Sequence, residues 1–366
     1  MLADGRSPRE QLHWRQDRKI MEANLKRKPN APRTRRSAAT TLALRHILVP
    51  LDFSGLSRQA LDCAVPLARK YGAKISLVHV AQSPFVMSSF PEGGIVLPVN
   101  TDKLVSVAKT HLAELAAQLL PDELRGRTIV REGNAATEVV AAAKALKADL
   151  IVLSTHGRSG LKRVLLGSTA ERILRHAHCP VLTVRRQEGE PAMRLLAQTK
   201  PLYPKQLPWR RILVPLDLSP ASLRALQTAV ALARASAARL LLLNVVEPNP
   251  YVTGMEGAVL LIPDRDLMDL AKQQLPRVAR KFVPKSVPVT SMVGRGRAAD
   301  VIGETAEAEG VDLIVLATHG HTGWDRLLMG STAEQVVRHA KCPVFVARIL
   351  PGWSAVGTES KKQHRK

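Results

Sequence analysis

Aromatic residues are scarce: Phe, Trp and Tyr make up 3% of the 366 residues. A platform that stacks unpaired bases needs such rings in number, so the composition argues against a stacking surface for single-stranded nucleic acid. Cysteine is scarcer still. Cys63, Cys179 and Cys342 are too few and too scattered for a disulfide framework or a zinc site, and they suit a reducing cytosol. No run approaches the ~18 uncharged apolar residues of a membrane span. The richest, Leu240 to Val246, has the length of a strand. The first residues carry charge but no apolar segment of the secretory kind. Acidic residues are in deficit, 31 against 54 Lys and Arg, for a net charge of +23. That excess is local. Residues 1–44 hold 11 basic and 4 acidic residues, 185–211 hold 7 and 2, and 351–366 hold 4 and 1. Two tails and a connector carry most of the charge, and the rest is mildly basic.

What the chain does have is 45% hydrophobic residues, enough for conventional cores, and an internal repeat. Arg45-His46-Ile47-Leu48-Val49-Pro50-Leu51-Asp52-Phe53-Ser54 returns as Arg210-Arg211-Ile212-Leu213-Val214-Pro215-Leu216-Asp217-Leu218-Ser219. Asp149-Leu150-Ile151-Val152-Leu153-Ser154-Thr155-His156-Gly157 returns as Asp312-Leu313-Ile314-Val315-Leu316-Ala317-Thr318-His319-Gly320. Gly167-Ser168-Thr169-Ala170-Glu171 returns as Gly330-Ser331-Thr332-Ala333-Glu334. Units of ~140 residues exceed solenoid repeats, so these are duplicated domains. The organisation expected is a basic extension with little fixed structure (1–44), a first domain (45–186), a Pro-rich linker (187–209), a second domain (210–349) and a basic tail (350–366).

Within the first copy, short apolar runs at 47–51, 74–80, 127–131, 150–153 and 180–184 predict strands. Between them, 54–71, 102–119, 135–146 and 168–176 predict helices, the first with Ser54 as its cap and Gly72 as its stop. The second copy follows the same order. Apolar strands alternating with helices predict tandem doubly wound α/β domains, each with a mostly parallel five-stranded sheet.

In such sheets ligands bind beyond the carboxyl ends of strands, where the strand order reverses. Asp52 and Asp217 follow the first strand of each copy. The Thr-His-Gly segments follow the fourth. Beyond them, a Gly-rich loop ends in Gly167-Ser168-Thr169 or Gly330-Ser331-Thr332, each opening a helix. Glycine admits a bulky anion, and the helix start offers free N–H groups and a favourable dipole. This is a phosphate cradle without the Gly-Lys-Ser/Thr of a Walker loop. The aspartates, with Ser54 and Ser219, also suit the job of capping the next helix.

On these residues the repeated unit resembles a universal stress protein domain, and the chain resembles a tandem member of that family over both copies. The nucleotide-binding branch carries Gly-x2-Gly-x9-Gly-Ser/Thr after the fourth strand. Gly157-x9-Gly167-Ser168 and Gly320-x9-Gly330-Ser331 match its last three elements, while Ser154 and Ala317 stand where the first glycine would be. The resemblance implies a Rossmann-like domain that binds ATP, with Mg2+ or Mn2+ carried by the nucleotide, and a cytoplasmic regulator without fast catalysis. It implies that Asp52 and Asp217 face the adenosine. Val80 and Val245 would hold the adenine through backbone groups. Gly157, Gly167, Ser168 and Thr169, and Gly320, Gly330, Ser331 and Thr332, would take the phosphates. Pro50, Ser154, His156 and Gly160, with Pro215, Ala317, His319 and Gly323, complete the two linings. It also implies a pseudo-dimer with 181–184 opposite 344–347, and it leaves room for a homodimer of chains. Ser154 can donate a hydrogen bond where Ala317 cannot, which favours the first copy as the tighter site.

Rival readings remain open on the sequence. His156 and His319 could serve a slow ATP hydrolase or phosphotransferase as acid–base groups. Residues 1–44 could neutralise nucleic-acid phosphates without reading sequence. The histidines lack metal-ligand spacing, and a thiol before Pro180 or Pro343 most simply packs.

Overall fold

The computed structural model describes residues 42–81, 101–155, 166–185, 203–248, 264–317 and 329–348. The first copy begins with strand β1 (His46–Pro50), a single helical turn α1 (Gly55–Arg58) and α2 (Ala60–Tyr71). It continues through β2 (Lys74–Ala81), α3 (Thr101–Leu119), β3 (Arg125–Glu132), α4 (Ala135–Ala145), β4 (Leu150–Ser154), α5 (Ser168–His176) and β5 (Val181–Val184). The second copy runs β6 (Arg211–Pro215), α6 (Pro220–Ser236), β7 (Arg239–Val246), α7 (Asp264–Phe282), β8 (Val289–Arg295), α8 (Ala298–Ala308), β9 (Leu313–Ala317), α9 (Ser331–His339) and β10 (Val344–Ala347). Helix α5 spans the residues its sequence predicts, and strand ends shift by a residue or two.

One predicted helix divides. Ser54 does cap it, its side chain accepting from the Ser57 N–H. The turn then tightens to three-residue spacing, with Gln59 N–H donating to Leu56 O at 3.2 Å and Asp62 N–H to Gln59 O at 3.0 Å. Helix α2 starts afresh and ends at Gly72, whose φ of 68° is the left-handed conformation glycine accepts at least cost. In the second copy Ser219 caps a continuous α6 with Pro220 at its start.

All ten strands form one sheet in the order β3-β2-β1-β4-β5-β10-β9-β6-β7-β8. Each half is parallel. The halves meet where β10 runs antiparallel to β5, with Phe345 opposite Leu182, Val344 opposite Thr183 and Val346 opposite Val181. One face carries a buried cluster drawn from α2, α3, α6 and α7, and the other from α4, α5, α8 and α9. Both clusters continue across the junction. Residues before each first strand join the same core: Leu42 and Leu44 in one copy, Leu207 and Trp209 in the other, Trp209 being 1% exposed. The last residues of the connector are therefore packed rather than free.

An aspartate pins the amino end of each central strand pair. Asp149 Oδ2 accepts from the Arg45 and His46 amides at 2.8 and 2.9 Å. Asp312 Oδ2 accepts from the Arg210 and Arg211 amides at 2.7 and 2.8 Å. These repeated aspartates hold the bottom of the sheet, at the opposite end from the crevice.

Candidate functional site

Strand order reverses between β1 and β4, since the chain leaves β1 toward β2 and β3 but leaves β4 toward β5. The same reversal lies between β6 and β9. Loops leaving the two strands part in opposite directions there and leave a crevice. Proline widens it. Leu51 N–H donates to Val78 O of β2 at 2.8 Å, so by alternation Pro50 faces β4, and it has no N–H to give. The β1–β4 ladder pairs Ile47 with Leu150 and Leu48 with Ile151 and goes no further. Leu216 donates to Leu243 O at 2.8 Å, and Pro215 ends the β6–β9 ladder after Leu213–Ile314 in the same way.

The aspartates sit at the mouths of these crevices. Asp52 Oδ1 accepts from Ser54 N–H at 2.9 Å and from Ser54 Oγ–H at 2.5 Å. Asp217 Oδ1 accepts from Ser219 N–H at 2.9 Å. The helix caps are Ser54 and Ser219, which accept from Ser57 N–H and Ser222 N–H. The aspartates therefore orient the caps and do not replace them. Between Asp and Ser in each copy stands a non-glycine residue in the left-handed region, Phe53 or Leu218, both at φ 63°. Such a backbone costs about 1–3 kcal/mol and persists only where its surroundings impose it. Its recurrence marks the loop as a fixed device for aiming the carboxylate.

The copies brace this loop differently. In the first, buried His79 contacts Leu51 O through Nδ1 at 2.7 Å, and Phe53 stacks on His79 and His111 at centroid distances of 3.9 and 4.5 Å. In the second, Asn244 Nδ2–H donates to Leu216 O at 2.6 Å, and Leu218 replaces the ring. The stack leaves one trace in the sequence: Phe53 and His79 are where the copies differ, as Leu218 and Asn244, beside an unchanged aspartate. Val80 and Val245, half-buried at the ends of β2 and β7, lie one strand away from the aspartates.

The cradle helices close the other side. Gly167 N–H donates to Thr155 O, just past β4, at 2.9 Å. A Cβ on Gly167 would stand 3.2 Å from that oxygen. Its φ of −60° is open to any residue, so closeness rather than conformation is what asks for glycine here. Gly167 and Gly330 give α5 and α9 no side-chain capping bond, whereas Ser54, Asn134 and Ser219 cap α1, α4 and α6. Ser168, Thr169, Ser331 and Thr332 are exposed on those first turns. Ser154 and Ala317 end β4 and β9, half-buried beside them. His156, Gly157, Gly160, His319, Gly320 and Gly323 lie outside the described residues, as does most of the basic extension, connector and tail.

Other candidates resolve into packing. His46 is engaged by Leu146 O at 3.0 Å and Ser76 Oγ at 2.7 Å. Among the described residues no three His, Cys, Asp or Glu gather as a metal site, and no described helix is long and apolar enough to cross a membrane. Burial pushes the Cys63 thiol from 9.0 to about 12 with Asp62 adding to it, and burial raises Cys179 and Cys342 to about 12. Folded Cys63 and Cys179 should therefore resist iodoacetamide at pH 8 and label once urea unfolds the chain; fast native labelling in a mass-spectrometric time course would contradict this. Because the folded thiols hold their protons more tightly, their contribution to stability is complete below pH 9 and is lost as pH rises toward 12.

Comparison with known proteins follows the duplicated architecture. A model described as the universal stress protein family matches residues 43–185 and again 208–348. A universal stress protein of Mycolicibacterium smegmatis is 28% identical over 311 residues, 82% of this chain and 96% of that protein. One from Methanocaldococcus jannaschii is 35% identical over 147 residues, 40% of this chain and 85% of that protein. Among solved structures, a universal stress protein from Archaeoglobus fulgidus superposes with a TM-score of 0.58 at 19% identity, covering 85% of this chain and 99% of that one.

Proposed function

This chain belongs to the universal stress protein family, and from that premise we propose that it is a cytoplasmic nucleotide-responsive regulator holding ATP in each of its two crevices. The observation that carries the reading is the pairing, twice, of a rigidly aimed aspartate with an uncapped helix start across one switch point. The residues fit the group. Asp52 or Asp217 would accept from ribose hydroxyls, and backbone at Val80 or Val245 would meet the adenine edge. N–H groups opening α5 or α9, with the hydroxyls of Ser168 and Thr169 or Ser331 and Thr332, would hold phosphate oxygens. A Cβ at Gly167 would stand 3.2 Å from Thr155 O, so the start of α5 meets the end of β4 backbone to backbone. Bound ATP would supply a polyanion and a divalent ion, and the protein's part is to bind and orient them. A change of nucleotide state, rather than fast turnover, would be the output.

Titration calorimetry of the full chain with magnesium and ATP tests this. Heat of binding is expected, with Asp52→Ala and Asp217→Ala each weakening one site roughly tenfold through loss of a charge-assisted hydrogen bond. Folded protein that gives no heat would sink the reading.

A further inference from the structure

The two cradle helices face each other across the domain junction, and their charges are shared. Glu171 on α5 lies 3.1 Å from Arg175 of its own helix and 3.7 Å from Arg338 on α9. Glu334 on α9 lies 2.9 Å from Arg338 and 3.6 Å from Arg175. Each arginine thus serves one carboxylate in its own copy and one in the other. The far ends of the same helices are held reciprocally as well. Arg185, just after β5, donates to Arg338 O and Ala340 O at 3.0 and 2.8 Å. Arg348, just after β10, donates to Leu174 O and Arg175 O.

The position of the two glutamates gives this network a consequence. Each lies four residues past the cap, and helical side chains lean toward the amino end, so Glu171 and Glu334 bring negative charge toward the turn where an anion would dock. An unneutralised carboxylate there opposes a polyanion. Like charges repel over a Debye length of about 10 Å, and more strongly in a medium intermediate between water and protein interior. The side chains are 26 to 36% exposed, which damps the effect without removing it.

Resting on the nucleotide reading above, we propose that each phosphate cradle is tuned electrostatically by the other domain: Arg338 adds to Arg175 in neutralising Glu171 for the first site, and Arg175 adds to Arg338 in neutralising Glu334 for the second. Each glutamate therefore has one arginine of its own helix and shares a second with the other copy. The arginines are positioning residues, since they act on the ligand through the glutamates and touch no phosphate.

The test uses the full chain carrying Asp217→Ala, so that the tighter ATP isotherm reports the first site. Adding Arg338→Gln, a change in the second domain, is expected to weaken that site three- to tenfold at low salt, with the loss shrinking at high salt. Arg338→Lys should recover most of the affinity, and Glu171→Gln combined with Arg338→Gln should return it to the parent value or above. Thermal melts of each variant distinguish this from damage to the fold. Unchanged affinity in Arg338→Gln, or a loss that Glu171→Gln does not rescue, overturns the coupling while leaving nucleotide binding in place. A parent chain that binds no ATP overturns both.

Discussion

Gly167→Val is expected to weaken ATP binding at the first site roughly 10- to 100-fold, matching the ~1–3 kcal/mol that forcing extra methyl groups into a filled space costs. The Cβ alone would stand 3.2 Å from Thr155 O. Valine adds two methyl groups at that carbon, where Gly167 N–H also bonds the same oxygen at 2.9 Å. Either the hydrogen bond lengthens and the start of α5 moves away from the end of β4, or the methyl groups occupy the cradle. Both outcomes separate the helix amides from the aspartate across the crevice. Valine tolerates φ −60° and ψ 139°, so the loss is steric and carries no backbone strain with it. Calorimetry on the full chain should show one site class lost while the other persists. Unaltered binding at both sites would show that phosphates do not dock at Gly167.

Phe345→Ala is expected to lower stability by about 3–5 kcal/mol, the usual cost of emptying a buried aromatic position. Phe345 is fully buried on β10, opposite Leu182 of β5 and beside Val315 of β9, all three without exposure. Here the two halves become one sheet, and each buried cluster passes from one copy to the other. A cavity at this point removes contacts from both domains at once. The melting temperature should fall by roughly 10 °C in scanning calorimetry. The parent chain should unfold in a single transition, because neither half can leave without exposing the edge of the other. A shift under about 2 °C, or two separated transitions in the parent, would show that the junction contributes little.

Much of the fold was legible because local signals agreed with one another. Ser54, Asn134 and Ser219 stand where their helices begin, Gly72 where one ends, and apolar runs such as Ile47–Val49 became buried strands. The interruption at Gln59 was not legible, since residues 54–71 keep one helical period throughout. The candidate site was half legible. Its aspartates and cradle glycines show themselves by repetition, but its bracing does not. Phe53, His79 and His111 lie far apart in the chain and meet only because β1, β2 and α3 converge. Likewise Glu171 and Arg338 are separated by 167 residues, and no periodicity links them.

The chain's pattern alone determined the duplication, the alternation of strand and helix, the parallel doubly wound halves and the residues at each strand's carboxyl end. Such features depend on local preference and on the spacing of apolar side chains, which a linear string records in full. Tertiary structure decided the left-handed turn at Phe53 and Leu218, the ladder cut short at Pro50 and Pro215, and the arginines that cross from one copy to the other. Those depend on which backbone and side-chain groups lie within a few ångströms once β5 and β10 have paired, and distance in space is what a sequence does not carry.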